Sequence, residues 1–195
     1  PATVKPSCSL SVSDAMGYYG TYGGYIKGLS KFKVVVTSAG SYGSEIKSIK
    51  TTANGATYTA ANFTTDVIKS SGTLTISVTV TDSRGRTETV SAKVSVLDYA
   101  APSITRLTAT RCNSDGTANE QGTSVKVTFS SAVTSLSSKN KATYTLKYKK
   151  STASSYTAVT LTGYSNNFAI TNGIYIFTAD TGASYDITLV LADAF

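Results

Sequence analysis

The chain contains no histidine and no tryptophan, and only one methionine, three prolines and two cysteines in 195 residues. Without histidine, the commonest general base and metal ligand near neutral pH is missing. A serine nucleophile activated by histidine is therefore excluded. Two cysteines are too few for the disulfide framework of a small secreted protein. We predict a protein that is not an enzyme and that has no cofactor.

The two cysteines, Cys8 and Cys112, do not occupy matching places in the two halves of the chain. A disulfide within either half is excluded, because each half holds a single thiol. We interpret both as partly buried free thiols, since unpaired cysteine behaves as a small apolar side chain. A bridge between them is the alternative.

Charge and long apolar runs are also sparse. Charged residues make up 15% of the chain, and no apolar run approaches the roughly 18 residues of a membrane span. The net charge is +7, and lysine pairs such as Lys31 and Lys33 point to one face of a strand. We interpret them as solvated strand edges, with attraction to nucleic acid or an anionic cell wall as the alternative. Aromatic and basic residues do not interleave, so we expect no nucleic acid as a partner. The lack of a long apolar run leads us to expect no membrane partner either.

Serine and threonine are what the chain has in abundance. It holds 28 Ser and 32 Thr, so nearly a third of its side chains are small and hydroxylated. Threonine favours extended backbone and is readily solvated on the outer face of a strand. The composition therefore predicts an all-β protein, and the sequence shows no convincing helix.

Two runs of strict alternation flank a short polar turn. Apolar residues occupy every second position of residues 74–80 and again of residues 90–96. A period of two predicts two half-buried strands. Asp82 and Gly85 lie between the runs, and their preference for tight turns predicts a β-hairpin.

The first strand of this hairpin has a second copy near the C-terminus. A shift of 111 residues lays residues 185–193 on residues 74–82, with apolar side chains at the same alternate positions. The copy stops at Phe195, before a return strand. We expect two tandem domains, 1–98 and 99–195, the second lacking its last strand. We also expect both chain ends to be fragment ends, and the parent chain rather than a neighbouring subunit to supply the strand.

Turn signals recur between short alternating segments in both halves. Asn54-Gly55 predicts a hairpin, and the imperfect alternation of residues 45–49 predicts a β-bulge. Residues 98–102 form a short linker that proline stiffens. Several short strands at even spacing indicate a sandwich of the immunoglobulin type in each half. Between the Asn54-Gly55 turn and the hairpin at Asp82, the predicted core residues are Tyr58, Phe63 and Val67.

Turn formation explains the polar clusters whose residue types would also suit acid–base catalysis or metal binding. The aspartates are scattered and sit mostly at turns, so a paired acid–base site is disfavoured. The cluster of Asn113, Asp115, Asn119 and Glu120 offers oxygen ligands for calcium. Gly116 comes too early for an EF-hand loop, so we interpret the cluster as a hairpin turn and expect no metal.

The glycine–tyrosine segment, residues 17–25, is the strongest candidate for binding. Tyr18, Tyr19, Tyr22 and Tyr25 offer flat amphipathic rings, and antibody loops use the same chemistry for contact area. Tyrosine rings also stack on the faces of sugars. The alternative is that some of these rings pack back against the sandwich. We predict a surface-binding loop here.

Five short phrases follow one another in order: residues 28–31, 41–44, 80–86, 96–102 and 111–122. Together they resemble the immunoglobulin-like repeats of minor structural proteins, from the tail tip or tail fibre, in phages of Gram-positive bacteria. The resemblance covers most of the chain and is densest between residues 28 and 129. It implies a place in the virion tail near its host-facing end, and it carries over no catalytic residue. The tyrosine segment is not part of the pattern.

The resulting hypothesis is a non-catalytic structural or host-recognition segment of a phage tail protein. Its expected partners are other virion tail subunits, in a homo-oligomer by analogy, and bacterial cell-wall glycan or teichoic acid. One alternative is an immunoglobulin-like stalk module of a bacterial adhesin at the cell surface. Another is an accessory domain of a cell-wall hydrolase.

Overall fold

A computed structural model describes residues 4–195. The chain divides into two compact units, Pro1–Tyr99 and Ala100–Phe195, which we call unit 1 and unit 2. Strands dominate the described residues, and the prediction of an all-β protein is confirmed. No helix within residues 4–195 is long and apolar enough to cross a membrane.

Unit 1 is built from two sheets. Its strands are β1 (Ser7–Asp14), β2 (Tyr25–Ile26), β3 (Phe32–Ala39), β4 (Ile46–Ala53), β5 (Ala56–Tyr58), β6 (Asn62–Thr64), β7 (Gly72–Asp82) and β8 (Thr87–Leu97). One sheet has the order β1-β3-β6, and the other has the order β2-β8-β7-β4-β5. Neighbouring strands are antiparallel, except that β2 runs parallel to β8.

The turns of unit 1 follow the sequence signals closely. β7 and β8 pair from Thr81–Thr87 to Gly72–Val96, so the predicted hairpin is confirmed. The register of β4 against β7 shifts between Ile46 and Ser48, which is the predicted bulge. Asn54 and Gly55 both have positive φ, as the predicted hairpin between β4 and β5 requires.

One difference in unit 1 concerns the segment that precedes β7. Val67 was expected in the core, but Ile68 is the fully buried side chain and Val67 is only half-buried. This segment is not a strand, so alternation gives no guide to its facing. The Gly28 N–H donates to the Ile68 carbonyl and the Ile68 N–H donates to the Ser30 carbonyl, and this pairing aims Ile68 inward. Tyr58 and Phe63 pack against the core as expected.

Unit 2 also has two sheets. Its strands are β9 (Ser103–Cys112), β10 (Ser124–Ala132), β11 (Thr143–Lys150), β12 (Thr157–Thr160), β13 (Ala169–Thr178) and β14 (Tyr185–Ala192), with a short 3-10 turn at Thr162–Tyr164. One sheet has the order β9-β10-β13 and the other has the order β12-β11-β14. All of these pairings are antiparallel.

Each unit has its own hydrophobic core between its sheets. The core of unit 1 is formed by Tyr25, Phe32, Val34, Val36, Ala53, Ile68, Ile76, Val78, Val80 and Val96. The core of unit 2 includes Val125, Val127, Phe129, Tyr144, Leu146, Leu161, Ile170, Phe177 and Leu189. These residues come from the alternating faces of the strands, which is why a period of two predicts the burial. Cys8 is half-buried, Cys112 is buried and both thiols are free.

The strand orders of the two units correspond. The sheet β1-β3-β6 matches β9-β10-β13, and the run β7-β4-β5 matches β14-β11-β12. In unit 1 the run continues to β8 on the far side of β7. Within residues 100–195, β14 pairs with β11 alone, so the place that corresponds to β8 holds no strand.

Candidate functional site

The tyrosine segment is held in place by one carboxylate at the end of β1. The Asp14 carboxylate accepts hydrogen bonds from the Met16 N–H at 3.0 Å and the Tyr19 N–H at 3.1 Å. It also accepts one from the buried Ser30 hydroxyl at 3.0 Å, and that hydroxyl oxygen accepts one from the Ile26 N–H at 2.9 Å. Asp14 and Ser30 therefore link the tyrosine segment to the residues that directly precede β3.

Part of this segment is helical, so the expectation that the chain has no helix is wrong. Helix α1 spans Tyr18–Tyr22. Gly17 and Gly23, at its two ends, both have positive φ, and the Gly23 N–H donates to the Tyr19 carbonyl at 2.8 Å. A helix this short cannot be stable by itself. It forms because Asp14 satisfies the amides at its start and glycine can adopt the left-handed conformation that ends it.

The four tyrosines have different surroundings. Tyr19 is 47% exposed, whereas Tyr25 is 4% exposed and belongs to the core. Tyr18 and Tyr22 are half-buried and contact each other edge to face, with ring centroids 6.4 Å apart. The structure thus presents Tyr19 as the most accessible ring, and Tyr25 supports it from below.

Edge-to-face contacts connect the exposed ring to the core. Tyr19 lies 5.0 Å from Tyr25, and Tyr25 lies 4.8 Å from Phe32, measured between ring centroids. Aromatic pairs at these distances are attractive. Burial raises the pKa of the Tyr25 hydroxyl to about 12, with smaller contributions from Tyr19 and Asp14. The Tyr25 hydroxyl therefore stays protonated under physiological conditions.

A groove of about 710 Å³ lies beside Tyr19. Its walls come from the end of β1, from α1 and from the middle of β8. The lining residues are Val12, Ser13, Asp14, Gly17, Tyr19, Gly20, Tyr25, Ala92, Lys93, Val94 and Ser95. An exposed aromatic ring, hydroxyl groups, one ammonium group and one carboxylate therefore share one concave surface. This combination suits a polar ligand with an apolar face, such as a sugar ring.

A second groove in unit 1, of about 630 Å³, is lined by three lysines. Lys27, Lys31 and Lys69 surround the backbone around Ile68, and Asp66 is the acidic residue among the lining side chains. Lys27 also forms an ion pair with Asp98, whose pKa is held below its usual value by the hydrogen bond from Lys27. The sequence predicts Lys31 as a solvated edge residue and does not single out Lys27 or Lys69, because Lys69 lies about forty positions from the other two and reaches them only in the fold.

The hairpin between β7 and β8 contains a buried ion pair that its turn signature does not reveal. The fully buried Asp82 carboxylate contacts the Arg86 guanidinium at 2.7 Å and accepts hydrogen bonds from the Arg84 and Arg86 N–H groups. The Ser44 hydroxyl lies 3.0 Å from it. Burial alone would raise the pKa of Asp82, but the hydrogen bonds, led by Arg86, lower it to about 2. This network fastens the hairpin and engages both oxygens of the Asp82 carboxylate.

The candidate calcium cluster forms a turn. Asp115 accepts a hydrogen bond from the Thr117 N–H at 2.8 Å, and this bond holds its pKa below the usual value. The Asn119 side-chain amide donates to Asn113 at 2.8 Å. Within residues 4–195, no group of three or more His, Cys, Asp or Glu side chains is placed to hold a metal ion.

Arg111 in β9 is a residue whose contacts sequence analysis missed. Its guanidinium donates to the carbonyls of Asp180 and Ala183, at 2.5 and 2.6 Å, and lies 5.8 Å from the Tyr185 ring centroid. It fastens the loop before β14 to β9. These partners lie about seventy positions away, so no local pattern predicts them.

Comparison with known proteins identifies the family. The sequence profile described as "Siphovirus protein of unknown function (DUF859)" matches residues 1–195. The chain belongs to this siphovirus family. The predicted phage origin is therefore confirmed. No sequence among the curated proteins matches the chain.

Several solved structures are similar in fold. A carbohydrate-binding module of the β-sandwich superfamily shares 12% identity, with a TM-score of 0.40, over 99% of this chain and 96% of its own. A 1.5-MDa bacterial ice-binding adhesin shares 14%, with a TM-score of 0.43, over 96% of this chain and 64% of its own. A Ca²⁺-stabilized adhesin of an Antarctic bacterium shares 16% identity, with a TM-score of 0.40, over 98% of this chain and 49% of its own. Likeness at this level supports no inference about ligands.

Proposed function

We propose that the chain is a non-catalytic structural segment of a phage tail protein that contacts the bacterial cell wall during host attachment. In this proposal each unit is an immunoglobulin-like domain, and the segment lies in the virion tail near its host-facing end. Membership of a siphovirus family favours this assignment over a bacterial adhesin or a hydrolase module. The phrases shared with tail-protein repeats support the location.

The observation that carries the proposal is the groove beside Tyr19. It combines an exposed aromatic ring with hydroxyl and charged groups on a rigid support, because Asp14 and Tyr25 fix the segment from two sides. A ring held in this way loses little conformational freedom when a ligand stacks on it. The ligand class we assign to it is a cell-wall glycopolymer, and the lysine-lined groove suits the phosphate groups of teichoic acid.

Each site offers only a small contact area, so a single copy would bind weakly. Tail parts assemble in several copies, and copies that engage one wall together bind far more tightly than one alone. We therefore propose a homo-oligomer with other tail subunits as neighbours. With several copies bound at once, each groove needs only a weak affinity for the wall polymer.

A pull-down on purified Gram-positive cell walls, with and without teichoic acid, tests the proposal. The chain should sediment with the walls, and Tyr19→Ala should weaken binding about fivefold, because losing one aromatic contact costs about 1 kcal/mol. Tyr156→Ala is the matched control, since Tyr156 is 45% exposed and lies in unit 2. Removing teichoic acid should weaken binding further through the lysines.

No sedimentation with either wall preparation would contradict wall binding and leave an architectural spacer. Equal losses for Tyr19→Ala and Tyr156→Ala would contradict the assignment of the groove. Circular dichroism of both variants checks that the fold is kept.

A further inference from the structure

Strand β9 of unit 2 has an inner face that no other element of the described residues covers. Leu107 lies opposite the buried Phe129, and Ala109 lies opposite the buried Val127. Directly opposite residues of an antiparallel pair share a face, so both side chains point toward the core side. Yet Leu107 is 38% exposed, and every residue from 103 to 110 is exposed. A strand with both faces in water is unusual in a sandwich, because one face normally packs against the opposite sheet.

The corresponding strand of unit 1 is covered. In β1, Leu10 lies opposite Val36, as Leu107 lies opposite Phe129 in unit 2. Leu10 is half-buried and packs against the core, Val90 and Val94 of β8 do the same, and β8 lies against β1. The cover over β1 is therefore β8, the strand whose place is empty in residues 100–195.

A groove marks this empty place in unit 2. It has a volume of about 330 Å³ and is bounded by β9 on one side and by β14 on the other. The lining residues are Ala109, Thr110, Arg111, Val125, Ala183, Ser184, Tyr185 and Ile187. Ile187 corresponds to Ile76 of β7 by the shift of 111 residues, and Ile76 is fully buried, whereas Ile187 is only partly buried.

The residues after β14 have one hydrogen bond in common with the turn that leads from β7 to β8. The Phe195 N–H donates to Asp193 Oδ1 at 3.0 Å, and the Arg84 N–H donates to Asp82 Oδ1 at 3.0 Å. The second oxygen is also held, by Asn140 at 3.2 Å in unit 2. An aspartate that bonds the amide two residues on sets up a tight turn. The Asp193 side chain therefore makes the same contact as the one that opens the hairpin turn at Asp82 in unit 1.

From these observations we infer that the groove between β9 and β14 receives a β-strand that follows a hairpin turn at Asp193 and pairs antiparallel with β14. The register of β7 with β8 defines its chemistry. Val78 faces Val90, Ile76 faces Ala92 and Leu74 faces Val94, so the strand carries small aliphatic residues at alternate positions. Its other positions are polar, since that face meets solvent.

A strand of this kind supplies what unit 2 lacks in two ways. It pairs with the backbone groups on the free side of β14, and its aliphatic face covers Leu107 and Ala109. The strand that fills the equivalent position in unit 1 is β8, which is already paired with β7 and lies against β1. The groove is therefore assigned to a strand in cis through the Asp193 turn, and not to β8 of a second copy.

The test extends the full chain after Phe195 with a copy of residues 85–98, because Phe195 corresponds to Arg84. The control extension has the same composition with its apolar and polar positions exchanged, which turns the aliphatic face outward. The patterned extension should raise the melting temperature of unit 2 by about 5 °C or more. It should also slow hydrogen exchange along β14, and the control should do neither.

Two further variants locate the effect. Leu107→Lys should remove the gain, because a charged side chain then lies under the added strand. Thr108→Lys, on the outer face of the same strand, should leave the gain intact. An equal gain from the control extension, or no gain from the patterned one, would overturn the inference. A gain that appears only with dimer formation in sedimentation would also overturn it, since the strand would then be exchanged between copies.

Discussion

Unit 1 and unit 2 arrange corresponding strands in the same order, but their first strands differ in burial. The inner face of β1 is covered in unit 1, whereas the inner face of the corresponding strand β9 is exposed in unit 2. In unit 1, β8 covers Leu10 and extends the sheet beyond β7. In unit 2, Leu107 is exposed and β14 pairs on one side within the described residues. The comparison shows that a single strand contributes to both sheets of this sandwich. It pairs within one sheet and covers the outer strand of the other.

The units also use corresponding positions near the end of their first strand for different contacts. In unit 1, Asp14 holds the tyrosine segment through backbone amides. In unit 2, Arg111 holds the loop before β14 through backbone carbonyls. A carboxylate accepts and a guanidinium donates, so each side chain selects a loop with the complementary backbone groups exposed. The tyrosine segment that Asp14 holds forms one wall of the candidate binding groove in unit 1.

The largest expected difference between the units concerns two isoleucines at corresponding positions. Ile76→Ala should cost unit 1 about 2–5 kcal/mol of unfolding free energy, because it opens a cavity in a closed core. Ile187→Ala should cost unit 2 about half as much or less, since its side chain borders a groove. Hydrogen exchange resolved by peptide measures both losses in one protein. Equal costs would mean that unit 2 is as closed as unit 1.

A second comparison introduces charge at the two leucines. Leu10→Lys should destabilise unit 1 by roughly 2 kcal/mol, because it removes an apolar side chain packed under β8. Leu107→Lys should change the stability of unit 2 by less than about 0.5 kcal/mol, as expected for a surface position. Hydrogen exchange, resolved by peptide, gives the change in unfolding free energy of each unit, and thermal melts of both variants check the values. A large loss for Leu107→Lys would show that its face is covered.

The smallest effect is expected only in acid. The pKa of Asp82 is about 2 in the folded protein, below its ordinary value of 3.8. Because the folded state binds the proton more weakly, this carboxylate stabilises unit 1 above about pH 4, and the contribution is lost as the pH falls toward 2. Melting temperatures of unit 1 should fall across this window, and Asp82→Asn should flatten the fall.

Asp193→Asn is the control for this pH series, since it alters the corresponding turn residue of unit 2. It should leave the acid response of unit 1 unchanged. An Asp82→Asn variant whose unit 1 loses as much stability in acid as the unaltered protein would contradict the role of the Asp82–Arg86 pair.

Local patterns were enough to predict the regular parts of the fold. Strict alternation identified β7, β8 and β14, and the dipeptide Asn54-Gly55 identified a hairpin, because strand facing and tight turns depend on near neighbours. The bulge in β4 was visible as a break in the same alternation. These features need no knowledge of the rest of the chain.

Contacts between distant segments decided what the sequence left open. Helix α1 depends on Asp14 and Ser30, Ile68 is turned inward by backbone pairing with Gly28 and Ser30, and Tyr25 is buried against Phe32. None of these contacts has a periodic signature. The tyrosine segment was therefore identified as a candidate, but which ring is accessible became clear only from the fold.

Hydrogen exchange resolved to single residues tests the central claim most directly, namely that β14 has an unoccupied edge where β7 has β8. A strand paired on both sides bonds successive N–H groups, whereas a strand paired on one side bonds alternate ones. We predict slow exchange at successive residues of β7 and at alternate residues of β14. Slow exchange at successive residues along β14 would show that its free edge is already filled, and it would contradict this account.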